Sequence, residues 1–289
     1  YLKMRLAETP DGVMQQRKND AETKIDVRKL QVDPGKEYFQ ALVQPFDLFN
    51  DDLYRIVVVE TPSAVYFWKD MHHILFDGGS MGIFNAQLRE AYAGGDIQSE
   101  SYTAYDFALE EEERQQGDKY AEAEAYFDKM LEGRTATAYP SSSEVETSAT
   151  QSGTLHKQLN ASVSEYCRQY AITPNSFFMA ALSLLMHKVT REDDIMYTTV
   201  SHGRNMMEMM DIMGMFVKTL PVTSSMDGKE AQEERFSEFA GKVHRQYVDV
   251  VERDFYPFTT MVERHGVRPE LLFAYQDGTY SSDEKTEDN

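Results

Sequence analysis

One cysteine, Cys167, in 289 residues leaves no possibility of an internal disulfide and fits a reducing, cytoplasmic compartment. Basic residues are scarce as well: 29 Lys and Arg stand against 49 Asp and Glu, a formal charge of −20. A surface this acidic repels phosphate backbones, and no basic cluster interleaved with aromatics stands out, so nucleic-acid binding is not expected. No window approaches the roughly 18 consecutive apolar residues needed to span a bilayer. Phosphate-cradling glycine loops and CxxC pairs are absent, so nucleotide and structural-zinc readings lack support. Asn160-Ala161-Ser162 matches a glycosylation sequon, but without a secretory signal it reads as chance. The chain opens on Tyr1 rather than Met, in a segment that already reads as a strand. It is expected to begin mid-domain, as a piece of something larger.

What is present is globular. Hydrophobic residues make up 41% and aromatics 12%, too many for a disordered chain. A chain of this length hides about 75% of its unfolded surface, and length alone suggests about two domains.

Strands and helices alternate along the sequence. Strands are expected through Leu6, at 24–30, at 53–60 around Ile56-Val57-Val58-Val59, and at Ala64–His72. Helical spacing covers Lys36–Gln44 through Tyr38, Phe39 and Leu42. After Gly78-Gly79, Ser80 can cap a helix carrying Ile83, Phe84, Leu88 and Tyr92. Residues 102–132 read as helical with a solvated charged face. Residues 135–152 are small, polar and aperiodic, the best linker in the chain. A strand at 153–159, a helix at 162–171 and a helix capped by Thr173-Pro174 and reaching Val189 follow. Then come a strand at 194–201, a Met-rich loop, a strand at 215–223, an amphipathic helix at 229–251 and a strand at 270–276. The polar, acidic tail Ser281–Asn289 is expected to fray.

The densest chemistry lies in Met71-His72-His73-Ile74-Leu75-Phe76-Asp77-Gly78-Gly79-Ser80. In an extended segment His72 and His73 point to opposite faces, so only one can face a pocket. A histidine near neutral pKa suits proton transfer from an attacking amine or alcohol. Asp77, after a tight turn, could fold back beneath a histidine or anchor the loop through an arginine. Paired histidines are also ordinary core or surface residues, and neighbours on opposite faces cannot share one metal ion without a kink. Cys167 reads as a small buried hydrophobe, and the methionines between Met206 and Met215 as packing or an adaptable apolar wall. His156, His187, His202, His244 and His265 are scattered and carry no assignment.

The run His72-His73-Ile74-Leu75-Phe76-Asp77-Gly78 resembles the HHxxxDG signature of condensation domains of nonribosomal peptide synthetases. Other segments are similar to that family's motifs in the same order. They are Pro45-Phe46-Asp47-Leu48 with Leu53-Tyr54-Arg55, the YxDFA-like Tyr102–Ala108, and Ser201-His202-Gly203-Arg204. The GxFVNT-like Met213–Pro221, Arg253-Asp254-Phe255-Tyr256-Pro257-Phe258, and Arg268–Gln276 complete the series. Lys218 departs from the usual Asn, and Glu252-Arg253 from the usual His-Gln. The resemblance implies an α/β fold of two chloramphenicol-acetyltransferase-like lobes in a V-shaped arrangement, truncated at both ends. An N-terminal lobe of 1–135, a linker of 136–152 and an incomplete C-terminal lobe of 153–289 are expected.

The same resemblance implies amide-bond formation between aminoacyl groups delivered by donor and acceptor carrier proteins on phosphopantetheine arms. Adjacent synthetase domains are further implied partners, with no cofactor or metal on the domain itself. His73 is then the group that positions or deprotonates the acceptor amine, with His72 beside it. Asp77 is mainly structural, paired with Arg204 or with an arginine of a preceding segment, and Gly78 offers a backbone N–H near the reacting centre. Arg204, Gly214 and Phe216 belong to the channel or its support. A related acyltransferase acting on a free amine or alcohol, an epimerisation domain, and a non-catalytic carrier-docking member remain alternatives.

Overall fold

The computed structural model describes residues 3–10, 12–18, 23–139, 157–226 and 233–276. Two compact units emerge. Among the described residues, the first holds the chain through Leu109 together with Arg204–Phe216, and the second holds Glu110–Gly203 and Val217–Gln276.

In the first unit a hairpin of β1 (Met4–Thr9) and β2 (Gly12–Arg17) pairs Thr9 with Gly12. The φ of +112° at Gly12 is a value that only glycine adopts without strain. A separate sheet has the order β3-β4-β5. Its strands are β3 (Asp26–Lys29), β4 (Tyr54–Glu60) and β5 (Val65–Met71), with β3 parallel and β5 antiparallel to β4. The β-branched run in β4 explains its central place, since such residues fill a pleated surface covered on both sides. A short helix, α1 (Lys36–Gln40), precedes it. Helix α2 (Gly78–Tyr92) lies against β5, where Lys69 donates to Asn85 Oδ1 at 2.9 Å and Phe67 meets Phe84 at 6.3 Å. Burial pushes the Lys69 ammonium below its ordinary pKa. Met4, Leu6, Leu53, Tyr54, Ile56, Leu75 and Phe76 form the core, each large side chain contributing about 1.5–3 kcal/mol on burial.

The residues expected to be helical over 102–132 form two helices, α3 (Ala104–Arg114) and α4 (Asp118–Leu131), the second preceded by Gly117. In the second unit, α5 (Lys157–Tyr170) and α6 (Pro174–Thr190) pack with α7 (Phe236–Val251) on a sheet of order β7-β6-β8. Its strands are β6 (Asp194–Ser201), β7 (Lys218–Ser225) and β8 (Leu272–Phe273). Thr173 caps α6 by accepting from Ser176 N at 3.1 Å, with Pro174 at the first helical position. Cys167 is buried, which pushes its thiol pKa up. Helix α8 (Phe258–His265) follows Tyr256, which is buried beside Tyr120 and Phe127. Burial pushes the Tyr256 phenol up to about 12. The expected strand at 153–159 is corrected at 157–159, which open α5, while 153–156 lie outside the described residues. Residues 140–152 of the expected linker, 229–232 of the expected helix, and the tail also lie outside them.

The units differ from the expected lobes at two places. Helix α4 buries Ala123, Phe127 and Leu131 with Leu220, Tyr256 and Met261, so it clusters with the second unit. The loop 204–216 buries Met209, Ile212 and Phe216 with Ala104 and Phe107, so it clusters with the first.

Candidate active site

Strand β5 ends at Met71, and the chain turns at once: Leu75 N donates to His72 O at 2.9 Å. His72 is half-buried. Its amide donates to Leu53 O at 2.9 Å, and its Nδ1 accepts from Ile74 N at 3.2 Å. A ring nitrogen that accepts carries no proton, so the neutral ring holds its proton on Nε2. Phe46 meets the ring edge-on at 5.9 Å, and Arg55 in turn lies 3.8 Å over Phe46. The Arg55 guanidinium donates to Gln44 O at 2.5 Å and Pro45 O at 2.9 Å, fixing the segment that carries Phe46. His73, by contrast, is exposed on the turn.

Asp77 lies beneath neither histidine. It is the N-cap of α2, its Oδ1 accepting from Ser80 N at 2.7 Å and from Arg204 Nη2 at 3.0 Å. Its Oδ2 accepts from Phe216 N at 3.1 Å, while its own amide donates to Gly214 O at 3.3 Å. Ser80 therefore sits in the first turn rather than at the cap. Its hydroxyl donates to Gly214 O at 2.6 Å and accepts from Gly214 N at 2.9 Å and Arg204 Nη2 at 2.8 Å. Arg204 also donates through Nη1 to Met209 O at 2.5 Å and Ile212 O at 2.8 Å, and stacks 4.6 Å over Phe216. Asp77, Ser80 and Arg204 are all buried. Charge neutralisation and nearly complete hydrogen bonding of the carboxylate are what make such burial tolerable.

Close packing accounts for two glycines. A Cβ at Gly79 would meet Arg204 Nε at 2.9 Å, and one at Gly214 would meet the Phe216 ring at 2.7 Å and Ala104 Cβ at 2.9 Å. At Gly78 a Cβ would meet nothing within 4 Å. The Gly78 amide belongs to the first turn of α2, among the donors that no intrahelical carbonyl can satisfy.

The remaining motifs resolve into supports. Asp106 Oδ2 accepts from Thr103 N at 2.8 Å and Thr103 Oγ1 at 2.6 Å, which holds the Asp106 carboxyl below its usual range and fastens the start of α3. Phe107 then meets Phe216 edge-on at 5.4 Å. Gly203, with φ of +65°, turns the chain out of β6 toward Arg204. Lys218, at the first position of β7, forms an ion pair with Glu111.

Of the residues singled out in the sequence, Asp77, Arg204, Gly214 and Phe216 come together in one buried cluster, with Gly78 at its rim. His72 and His73 stand on the turn that leads into it. Ser80, expected at the cap, lies in the first turn instead, and Phe46 and Arg55, which the sequence shows only as parts of motif segments, act as supports. Serine three residues after Asp77 was a visible signal, since an Asp cap aims at that amide.

A profile of the condensation domain matches residues 1–285. Tyrocidine synthase 2 of Brevibacillus parabrevis is 27% identical over 250 residues, 84% of this chain and 7% of that protein. Gramicidin S synthase 2 of Aneurinibacillus migulanus is 28% identical over 262 residues, 87% and 6% respectively. The chain thus spans well under a tenth of the length of these relatives. Among solved structures, the condensation domain of the monacolin K polyketide synthase matches with a TM-score of 0.72 at 18% identity, over 94% of this chain and 66% of that one. The epimerization domain of the third module of tyrocidine synthetase B matches at 0.75 and 16%, over 95% and 69%. The X-domain from teicoplanin biosynthesis matches at 0.72 and 18%, over 92% and 62%. The mixed helix-and-sheet fold is therefore the chloramphenicol-acetyltransferase-like fold of condensation domains. By both sequence and fold, the chain belongs to the condensation-domain family represented in nonribosomal peptide synthetases.

Proposed function

We propose that this domain forms amide bonds between a donor acyl thioester and an acceptor amine, each tethered to a carrier protein by a phosphopantetheine arm. The observation that carries this reading is an exposed histidine, His73, on a turn whose far end is clamped by the buried Asp77–Arg204 cluster. An acid–base group must meet its substrate, yet be held still. The acceptor nitrogen attacks the thioester carbonyl; the C–N bond forms, the C–S bond breaks, and the donor arm leaves as a thiol. His73 holds the amine in line and carries its proton toward the departing sulfur. The Gly78 amide, at the positive end of α2, favours the negative charge that develops on the carbonyl oxygen. Orientation of two tethered reactants supplies the larger share of the acceleration. Asp77 and Arg204 act by holding this geometry, without touching substrate.

The test uses the full-length domain with loaded donor and acceptor carriers, and detects condensed product by mass spectrometry. Product from wild type and none from His73→Ala is the expected result. Binding of both carriers without product points instead to a docking member. Inversion of a carrier-bound aminoacyl group points to epimerisation, and product from a free amine or alcohol to a related acyltransferase. In the parent reading frame, flanking adenylation and carrier domains are expected.

A further inference from the structure

We propose that Met215 is a specificity-determining residue, its side chain forming a wall against the side chain of the reacting acyl group. The inference rests on the amide-forming reading above and names a residue of the same site. Residues Gly214 and Phe216 are fastened to the start of α2 on either side of Met215. Gly214 is held through its N–H and carbonyl by Ser80 Oγ, at 2.9 and 2.6 Å, and Phe216 N is held by Asp77 Oδ2 at 3.1 Å. Both are buried, while Met215 between them is 39% exposed. The backbone is thus held on both sides of Met215, while the residue itself stays partly open to solvent.

That mount is shared with the proposed reacting groups. The Asp77 carboxylate that holds Phe216 also caps α2, whose first amide is Gly78. His73 lies four residues before Asp77, which limits their Cα separation to about 14 Å. The Leu75–His72 hydrogen bond draws the turn in further. An acyl group held between His73 and the Gly78 amide lies within that span, beside the start of α2 to which the neighbours of Met215 are fastened. Space at Gly78 is open, since a Cβ there meets nothing within 4 Å. Methionine suits such a wall because its unbranched thioether adapts to apolar groups of different shape. Met213, by contrast, packs into the core of the first unit and has no such freedom.

The experiment measures kcat/KM of the full-length domain for donors bearing alanyl or phenylalanyl groups against one acceptor, then for acceptors against one donor. Met215→Ala is expected to raise the large-over-small ratio about tenfold in one of the two series. Met215→Phe is expected to lower it, with thermal melting unchanged in both variants. Unchanged ratios in both variants with an active wild type overturn the assignment, and so does an equal loss for all substrates. A wild-type domain that makes no product from any pair overturns the amide-forming reading itself, and this inference with it.

Discussion

His73 and Asp77 stand four residues apart in one short run, yet their surroundings are opposite. His73 is exposed on a turn, whereas Asp77 is buried and engaged by Ser80, Arg204 and the backbone of Phe216. On the proposed reading, the contrast separates two jobs that a motif presents as one. A group that meets substrate has to be reachable, and the group that fixes its position does better away from water, where each hydrogen bond is stronger. His72 falls between them: half-buried, hydrogen-bonded by Ile74 N and packed on Phe46, it steadies the turn from the strand side.

The strongest challenge to this contrast is Arg204→Met, which leaves the Asp77 carboxylate buried without its cation. Urea unfolding should show a loss of about 3–5 kcal/mol, as for other broken buried pairs. Asp77→Asn added to Arg204→Met should recover part of it, because the uncompensated charge is gone. A loss under about 1 kcal/mol would mean that solvent reaches the pair.

Two glycines sharpen the contrast at a smaller scale. Gly214→Ala places a methyl 2.7 Å from the Phe216 ring and should cost about 1–3 kcal/mol. Gly78→Ala meets open space and should change stability by less than about 0.5 kcal/mol. Equal costs at the two positions would contradict the packing described here.

The smallest effect concerns an exposed carboxylate in the same unit. Hydrogen bonds from Thr103 hold the Asp106 carboxyl below its usual range. The folded state therefore binds its proton less readily than the unfolded chain. Its stabilisation is complete above about pH 4 and fades as pH falls through the lowered value. Asp106→Asn should lower the melting temperature slightly at neutral pH, and the difference from wild type should vanish in acid. A difference that grows in acid would reverse the sign of this linkage.

Much of the fold was legible because local pattern and tertiary demand agree. The β-branched run of β4 and the Thr173-Pro174 start of α6 are local signals that the packing reinforces. Strand β2 was not legible, since all its residues are exposed and no apolar alternation marks it. The break at Gly117 was hidden by charged residues that suit either one helix or two. In the site, the histidine run and the anchoring choices for Asp77 were visible. The selection of Arg204 was not, because 127 residues separate the pair and only packing brings them together. Ser80 has the chemistry of a cap, but Asp77, three residues earlier, fills that position.

The most direct test compares His73→Ala with Asp77→Asn in the full-length domain, reading urea stability and single-turnover product on the same samples. His73→Ala should keep its stability within about 0.5 kcal/mol while product formation falls about 10²–10⁴-fold. Asp77→Asn should lose stability, and its product should fall only as the folded geometry is lost. A His73→Ala domain that still condenses its substrates at the wild-type rate, or unfolds as readily as Asp77→Asn, would contradict the division of labour between the exposed turn and the buried anchor.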